Sequence, residues 1–179
     1  MIIWICGLSG SGKTTIARAV QQIQAERGHK FLLVDGDEIR DLFGESSQPD
    51  RFKISGRRRN AERIDKLVDW FNASGIDVVV SVLSIFPDLL LAHRDSYDEY
   101  FEVSLEASLK LLQKRDPKGL HSLAVSSGGT DMVGYGIEYE RPSRPDLVID
   151  MDRNDTAPME IALRISELIK DQMNSSSKW

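Results

Sequence analysis

Short apolar runs alternate along the chain with longer stretches in which apolar residues recur at helical spacing. The first of these runs, at 2–6, shows no alternation of apolar and polar positions, which is typical of a strand buried on both faces. Together the apolar runs predict strands at 2–6, 31–34, 78–83, 101–105 and 146–150. The longer stretches predict helices at 14–27, 38–43, 57–73, 88–97, 107–114 and 157–173. This order predicts an α/β fold, in which a five-stranded parallel sheet has helices on both faces and right-handed crossovers.

Three stretches have no clear period. Residues 44–56 are polar and predict a loop, and residues 174–179 predict a frayed tail. Residues 117–140 are rich in glycine and polar side chains, and so long a loop within a compact domain is usually functional or mobile. We therefore expect a single domain over 1–179, with a mobile lid at about 117–140.

Composition narrows the classes of partner. The 179 residues have a formal net charge of −5, which argues against a general nucleic-acid or anionic-membrane binder because such proteins need a basic face. The first apolar run is too short for a signal peptide or a membrane span, so we expect a cytoplasmic protein. The single cysteine, Cys6, lies in an apolar run and is expected to be a buried small hydrophobic residue.

A glycine-rich turn follows the first predicted strand and opens the first predicted helix. Its spacing from Gly7 to Thr14 is G-x-x-x-x-G-K-[ST], which in this context is a P-loop. Backbone N–H groups and the helix N-terminus surround phosphate oxygens, Lys13 is expected to reach the β and γ phosphates, and Thr14 to bind Mg²⁺. The sequence thus predicts a three-layer P-loop fold that uses a nucleoside triphosphate as phosphoryl donor. The residues expected to contact it are Gly7, Ser9, Gly10, Ser11, Gly12, Lys13, Thr14 and Thr15.

Two aspartates, Asp35 and Asp37, follow the second predicted strand. Ligands bind at the carboxyl edge of an open α/β sheet, so a carboxylate there can hold Mg²⁺ or accept a proton from an attacking hydroxyl. An aspartate before a short helix can equally be an N-cap, so one of the two can be a cap only. The sequence leaves open which of them is the base.

An arginine run, Arg57 to Arg59, precedes Asn60 at a predicted helix start. Such a run is usually a solvated face. At a helix N-terminus, however, its positive charges interact unfavourably with the positive end of the helix dipole unless an anion lies nearby. Arg40, on the short helix after Asp37, could converge on the same anion. Spacing alone favours neither interpretation.

The remaining histidines and tryptophans suggest no further chemistry. His29, His93 and His121 show no metal-ligand spacing and are expected at the surface. Trp4 and Trp70 are expected to be packing residues.

Five segments occur in an order that resembles adenylylsulfate kinase (APS kinase). They are GLSGSGKTT, DGDEIR, RRRN, RDPKGL and a stretch ending in YERPSRPDLVID, and the resemblance runs over about 3–150. The family phosphorylates the ribose 3′-hydroxyl of adenosine 5′-phosphosulfate (APS) with MgATP and is often dimeric. The resemblance therefore implies ATP and Mg²⁺ as cofactors, a small nucleotide as acceptor, and a possible homodimer.

The resemblance also implies roles for particular positions. Asp35 and Asp37 match aspartates that abstract the proton and contact magnesium, and Lys13 is expected to stabilise the transferring phosphoryl group. The positions that match the acceptor site are Asp37, Arg40, Phe52, Arg57, Asn60, Leu83, Ser84 and Met132, with Phe52 stacking on the base. Ser84, which matches a serine phosphorylated in some members, is also expected to be a catalytic residue together with Lys13, Asp35 and Asp37. Arg115 and Lys118 match the start of the lid over the nucleotides.

Several positions depart from the family pattern. Ile85 replaces a proline, and Met151 replaces a threonine of the last strand motif. In the lid, Val125 replaces an arginine, Thr130 replaces a lysine, and Met132 replaces the second base-stacking phenylalanine. The parts expected to handle ATP and an anionic group are kept, whereas those expected to clamp the acceptor base are changed.

Three hypotheses follow from this pattern. The first is an APS kinase, and the second is a kinase for a hydroxyl of another activated nucleotide, such as the cytidine diphosphate derivative cytidine diphosphoramidate in capsule or polysaccharide synthesis. The third is a nucleotide-binding regulator without catalysis, against which the retention of Lys13, Thr14, Asp35 and Asp37 argues.

Overall fold

The computed structural model of the chain describes residues 1–116, 119, 122, 131–153 and 157–176, the last six by their backbone alone. Its strands are β1 (Ile2–Gly7), β2 (Phe31–Asp35), β3 (Asp77–Val82), β4 (Tyr100–Glu106) and β5 (Leu147–Asp150). Its α-helices are α1 (Lys13–Glu26), α2 (Gly36–Leu42), α3 (Ile54–Ala73), α4 (Pro87–Ser96), α5 (Leu109–Arg115) and α6 (Pro158–Ser176), and Glu45–Ser47 form a 3₁₀ turn.

The strands form one parallel sheet in the order β2-β3-β1-β4-β5. The central strand β1 pairs with β3 on one side and β4 on the other, and all six of its residues are buried. This confirms the five-stranded α/β fold expected from the apolar runs. The segments that follow β1, β2 and β3 all begin at the carboxyl edge of the sheet.

Alternate side chains of each central strand enter two separate apolar cores. On one face, Ile3 and Ile5 of β1 pack with buried residues of α1 and α6. On the other face, Trp4 of β1 packs with Ile64 of α3 and Leu90 of α4. Because both faces of the sheet are covered, every position of β1 and most positions of β3 are apolar, which explains why β1 shows no two-residue period in the sequence.

Several boundaries differ from the prediction, and local hydrogen bonds explain two of them. Helix α2 begins at Gly36 rather than residue 38, because Asp35 accepts hydrogen bonds from the backbone of Asp37 and Glu38. Helix α5 begins at Leu109 because the Ser108 side chain caps it. The predicted loop 44–56 and the predicted tail 174–179 were each too long, since α3 begins at Ile54 and α6 continues to Ser176.

Part of the predicted lid packs against the body of the protein. Val133 is buried with Leu8 and Leu112, and it forms an isolated parallel bridge with Ile137. Residues 117, 118, 120, 121 and 123–130, which include the predicted lid positions Lys118, Val125 and Thr130, lie outside the described residues.

Two of the expectations about aromatic residues were wrong. His93 is buried rather than at the surface, with 4% of its area exposed. Trp70 is 66% exposed and stacks on Phe71 instead of entering the core.

Cys6 is buried as expected, and burial raises the pKa of its thiol to about 12. In the part of the chain that the structure describes, no helix has the length and apolar character needed to cross a membrane.

Candidate active site

A cleft of about 900 Å³ opens at the carboxyl edge of the sheet. It is bordered by the turn after β1, the ends of β2 and β3, and helices α3 and α4. It brings together most of the residues that the sequence predicted for a site, namely Ser9, Gly10, Gly12, Lys13, Thr14, Thr15, Asp35, Asp37, Arg40, Phe52, Arg57, Asn60, Leu83, Ser84, Arg115 and Met132. The candidate site is therefore one continuous cavity.

The glycine-rich turn joins β1 to α1 through left-handed backbone at Gly10 (φ 81°) and Gly12 (φ 99°). These conformations suit glycine, and they bring the N-terminus of α1 to the cleft. The Lys13 ammonium group lies at the same turn and donates a hydrogen bond to the Leu8 carbonyl at 2.8 Å. Lysine, backbone and helix end thus converge where phosphates are expected.

Gly7 and Ser11, which are expected to contact the nucleotide, are not among the residues that line the cleft. Ser11 is fully buried, and its backbone N–H donates to the Leu8 carbonyl at 3.2 Å. At Gly7 a β-carbon would lie 2.6 Å from the Leu105 carbonyl oxygen, so this glycine is required for the packing of β1 against β4. Both residues therefore stabilise the backbone of the turn through contacts that lie away from the cleft.

Three oxygen-bearing side chains meet where α1 passes the ends of β2 and β3. The Thr14 hydroxyl donates to the Asp35 carboxylate at 2.7 Å and lies 3.3 Å from the Ser81 hydroxyl. Mg²⁺ prefers oxygen ligands and usually binds through one or two protein groups together with substrate phosphates, so this set fits it. The described residues contain no cluster of three or more His, Cys, Asp or Glu that could hold a metal ion without a substrate.

The two aspartates after β2 differ in their surroundings. One carboxylate oxygen of Asp35 accepts from the backbone N–H groups of Asp37 at 3.0 Å and Glu38 at 3.4 Å, while the other faces Thr14. Asp35 is thus an N-cap and a candidate metal ligand at once. The Asp37 side chain is 56% exposed and accepts from the Arg40 guanidinium at 2.7 Å, so it projects into the open part of the cleft.

Of the three consecutive arginines, Arg57 faces the cleft. It donates to the backbone carbonyls of Phe52 at 2.7 Å and Asp131 at 3.2 Å, and so joins the loop before α3 to the predicted lid. Burial, together with the nearby positive charge of Arg40, lowers the pKa of Arg57 to about 10. The side chain remains cationic at neutral pH, and an anion beside it would relieve this repulsion.

The other two arginines of the run form ion pairs outside the cleft lining. Arg58 bonds Glu62 at 2.8 Å and Asp88 at 2.8 Å, which joins α3 to the start of α4. Arg59 bonds Asp50 at 2.8 Å, which fastens the 44–53 loop to α3. Sequence spacing could not separate these roles, because the partners come from other elements.

The acceptor-side predictions also converge. The Asn60 amide donates to the Gly36 carbonyl at 3.0 Å, which fixes α3 beside α2. The Phe52 ring lies in the cleft, with the Arg51 guanidinium 4.6 Å and that of Arg57 5.8 Å from its centroid. Met132 lines the same cleft.

The cleft-lining residues that the sequence interpretation missed include Trp4, Asp65, Ser81 and His93. Ser81 could have been found, because a serine inside an apolar run at a strand end indicates a polar neighbour, and Ser81 pairs in register with Asp35. Trp4 carried no such signal because its spacing is that of an ordinary core residue, and His93 carried none because its partners Asp65 and Trp4 come from other elements.

The comparisons with known proteins agree with this geometry. A sequence model described as adenylylsulphate kinase matches residues 1–150. The chain belongs to the adenylylsulphate kinase family. As a member of this family of APS kinases, it is an ATP-dependent phosphotransferase with a hydroxyl group as acceptor.

The relatives of the chain include kinases that are named for two different acceptors. A cytidine diphosphoramidate kinase of Campylobacter jejuni is 32% identical over 167 residues, covering 93% of this chain and 95% of that protein. A probable adenylyl-sulfate kinase of Archaeoglobus fulgidus is 34% identical over 154 residues, covering 86% of this chain and 97% of that protein. The APS kinase CysC of Mycobacterium tuberculosis, solved in complex with AMPPNP and APS, superposes with a TM-score of 0.82 at 28% identity over 94% of this chain and 96% of that one.

The ion pairs that fasten the 44–53 loop of this APS kinase family member predict a pH-dependent stability. A hydrogen bond from Arg63 at 2.7 Å, with Arg59 nearby, lowers the pKa of Glu45. Because the folded pKa lies below the ordinary carboxyl value of about 4.3, the carboxylate stabilises the fold above that pH, and the contribution is lost as pH falls through the folded pKa. We expect Glu45→Gln to lower the free energy of unfolding by about 1 kcal/mol at pH 7.

Urea unfolding of both proteins at a series of pH values measures this. The deficit of Glu45→Gln should shrink as pH falls below about 4. Glu62→Gln, which removes an exposed partner of Arg58, is the matched control and should cost less, about 0.5 kcal/mol or below. A Glu45→Gln deficit of the same size at every pH would show that the charge of Glu45 is not what matters.

Proposed function

We propose that this chain transfers the γ-phosphoryl group of MgATP to a ribose hydroxyl of a nucleotide that carries an anionic group on its 5′ side. The observation that carries the proposal is that one cleft holds two kinds of charge. The oxygen set of Thr14 and Asp35 suits a cation, and the guanidinium groups of Arg40 and Arg57 suit an anion. Asp37 lies between Asp35 and Arg40 in the sequence, and its side chain lines the same cleft.

The donor half of the reaction rests on the glycine-rich turn. Backbone N–H groups and the N-terminus of α1 hold the phosphates, and Lys13 neutralises charge that develops on the transferring group. Lys13 then exchanges its hydrogen bond to the Leu8 carbonyl for one to phosphate oxygen. Thr14 and Asp35 would hold Mg²⁺, which supplies neutralisation of the phosphate charge when bound.

The acceptor half rests on Arg40, Arg57 and Asp37. The two guanidinium groups hold the anionic group of the acceptor, and the ribose lies beside Asn60 and α2. Asp37 accepts the proton of the attacking hydroxyl, since Asp35 is already engaged by the cap of α2 and by Thr14. The salt bridge from Arg40 to Asp37 orients that carboxylate.

We expect Asp37→Asn to lower kcat by at least about 100-fold, the lower range of general-base contributions, while leaving the Kd of ATP near its normal value. The amide keeps the size of the carboxylate but cannot take up the proton. Steady-state kinetics and calorimetric titration with ATP measure the two effects separately. Glu38→Gln changes the next residue on the same helix, which pairs with Arg18 outside the cleft, and should retain activity. Near-normal turnover by Asp37→Asn would remove Asp37 from the role of base.

APS is the first candidate acceptor, because the chain belongs to the family that phosphorylates it. Phe52 would stack on its adenine, and Arg57 would contact its phosphosulfate. Membership of the family and the retained anion-binding arginines support this candidate.

A cytidine diphosphate derivative, such as cytidine diphosphoramidate, is the second candidate. Two observations favour it: Met132 lines the cleft where the family has its second base-stacking phenylalanine, and a relative covering nearly the whole chain is named cytidine diphosphoramidate kinase. A base stacked on Phe52 alone gains less from stacking than one held between two rings, so the site depends less on the large stacking surface of adenine. Its anionic diphosphate portion would meet the same two arginines.

Steady-state assays with MgATP and each acceptor distinguish the candidates. We expect a kcat/KM of roughly 10⁴ M⁻¹s⁻¹ or more for the true acceptor, within the ordinary range for enzymes. Met132→Phe should raise kcat/KM for an adenine acceptor by about tenfold, since one aromatic–base stack contributes about 1–3 kcal/mol. Efficient turnover of APS by the unchanged protein would rule out the second candidate, and no turnover of any nucleotide would point to a regulator without catalysis.

A further inference from the structure

We propose that Trp4 is a positioning residue that fixes the Ser84 hydroxyl so that its proton points into the cleft, toward an oxygen of the acceptor. This inference rests on the proposed function, since it assigns Ser84 a contact with the acceptor. The geometry behind it consists of one hydrogen bond and the contacts that hold its donor in place.

The Trp4 indole Nε1 donates to the Ser84 Oγ at 3.0 Å. An indole N–H is a donor only, so the serine oxygen must be the acceptor in this bond. The hydroxyl proton of Ser84 is therefore left for a second partner. Among the described residues the Ser84 side chain has no other hydrogen bond, and it lines the cleft, where an acceptor oxygen would receive that proton.

The donor is held rigidly. Trp4 lies in the central strand β1, in register with Val80 of β3 on one side and Glu102 of β4 on the other, and only 3% of its area is exposed. The His93 ring packs on the Trp4 indole with centroids 4.3 Å apart. His93 in turn bonds the Asp65 carboxylate of α3 at 3.0 Å, so three elements fix the plane of the indole.

The recipient is less constrained. Ser84 belongs to residues 83–86, which lie between β3 and α4 and have no regular secondary structure. Without the hydrogen bond from Trp4, its hydroxyl could occupy any of the three staggered rotamers. The bond selects one of them before the acceptor arrives, and this preorganisation reduces the entropy lost on binding.

A double-mutant cycle separates this role from ordinary packing. Trp4→Phe removes the N–H but keeps an aromatic ring against His93, and Ser84→Ala removes the hydroxyl. We expect each single variant to raise the KM of the acceptor about tenfold with little change in the KM of ATP, and the double variant to match Ser84→Ala alone. If the two effects multiply in the double variant, Trp4 does not act through Ser84 and the proposal is overturned.

A second measurement needs neither turnover nor a folded Trp4 variant. In a ¹⁵N–¹H spectrum the indole signal of Trp4 is found by eliminating those of Trp70 and Trp179 with Trp70→Phe and Trp179→Phe. In the unchanged protein its proton should exchange slowly with water, and Ser84→Ala should shift the signal and speed the exchange. An unchanged Trp4 signal in Ser84→Ala overturns the proposal.

The two measurements fail in different ways. If the unchanged protein phosphorylates no nucleotide, the proposed function is wrong, and the spectrum still decides whether Trp4 holds Ser84. If turnover is normal and the variant effects multiply, the proposed function stands and the positioning role of Trp4 is wrong.

Discussion

The candidate site depends on a single carboxylate, that of Asp35. One oxygen caps α2 and so sets where that helix begins, and the other accepts from Thr14 in the first turn of α1. Asp35 also ends β2 beside Ser81 of β3. One side chain therefore fixes the glycine-rich turn, the sheet edge and α2 relative to one another, and in doing so places Asp37 and Arg40 in the cleft.

The allocation of the arginines follows from where counter-charges lie. Arg58 and Arg59 form ion pairs with carboxylates of α3, α4 and the 44–53 loop, and these pairs hold that loop and α4 in place. Arg57 instead bonds two backbone carbonyls and lies near Arg40, and burial together with that second cation lowers its pKa. A buried guanidinium beside a second cation favours the binding of an anionic ligand. For this reason the acceptor that we propose carries an anionic group.

The sequence predicted much of the fold because buried parallel strands and the glycine-rich turn leave strong local patterns. It predicted the composition of the cleft less well, because the deciding contacts join distant positions. His93 looked like a surface histidine until its partners Asp65 and Trp4 were placed beside it. Trp70 looked like a core residue, yet it lies on the exposed side of α3. Asp35 could be a cap or a metal ligand by sequence, and its geometry suits both.

The most direct test of the central claim is to identify the group to which the γ-phosphoryl group is transferred. The protein would be incubated with MgATP and, in turn, APS and cytidine diphosphoramidate, and the products followed by ³¹P NMR and mass spectrometry. The account predicts ADP in equal amount to one phosphorylated acceptor, with the new phosphomonoester on a ribose hydroxyl and the original 5′ group intact. Release of inorganic phosphate without a phosphorylated nucleotide, or transfer to the 5′ group, would contradict it.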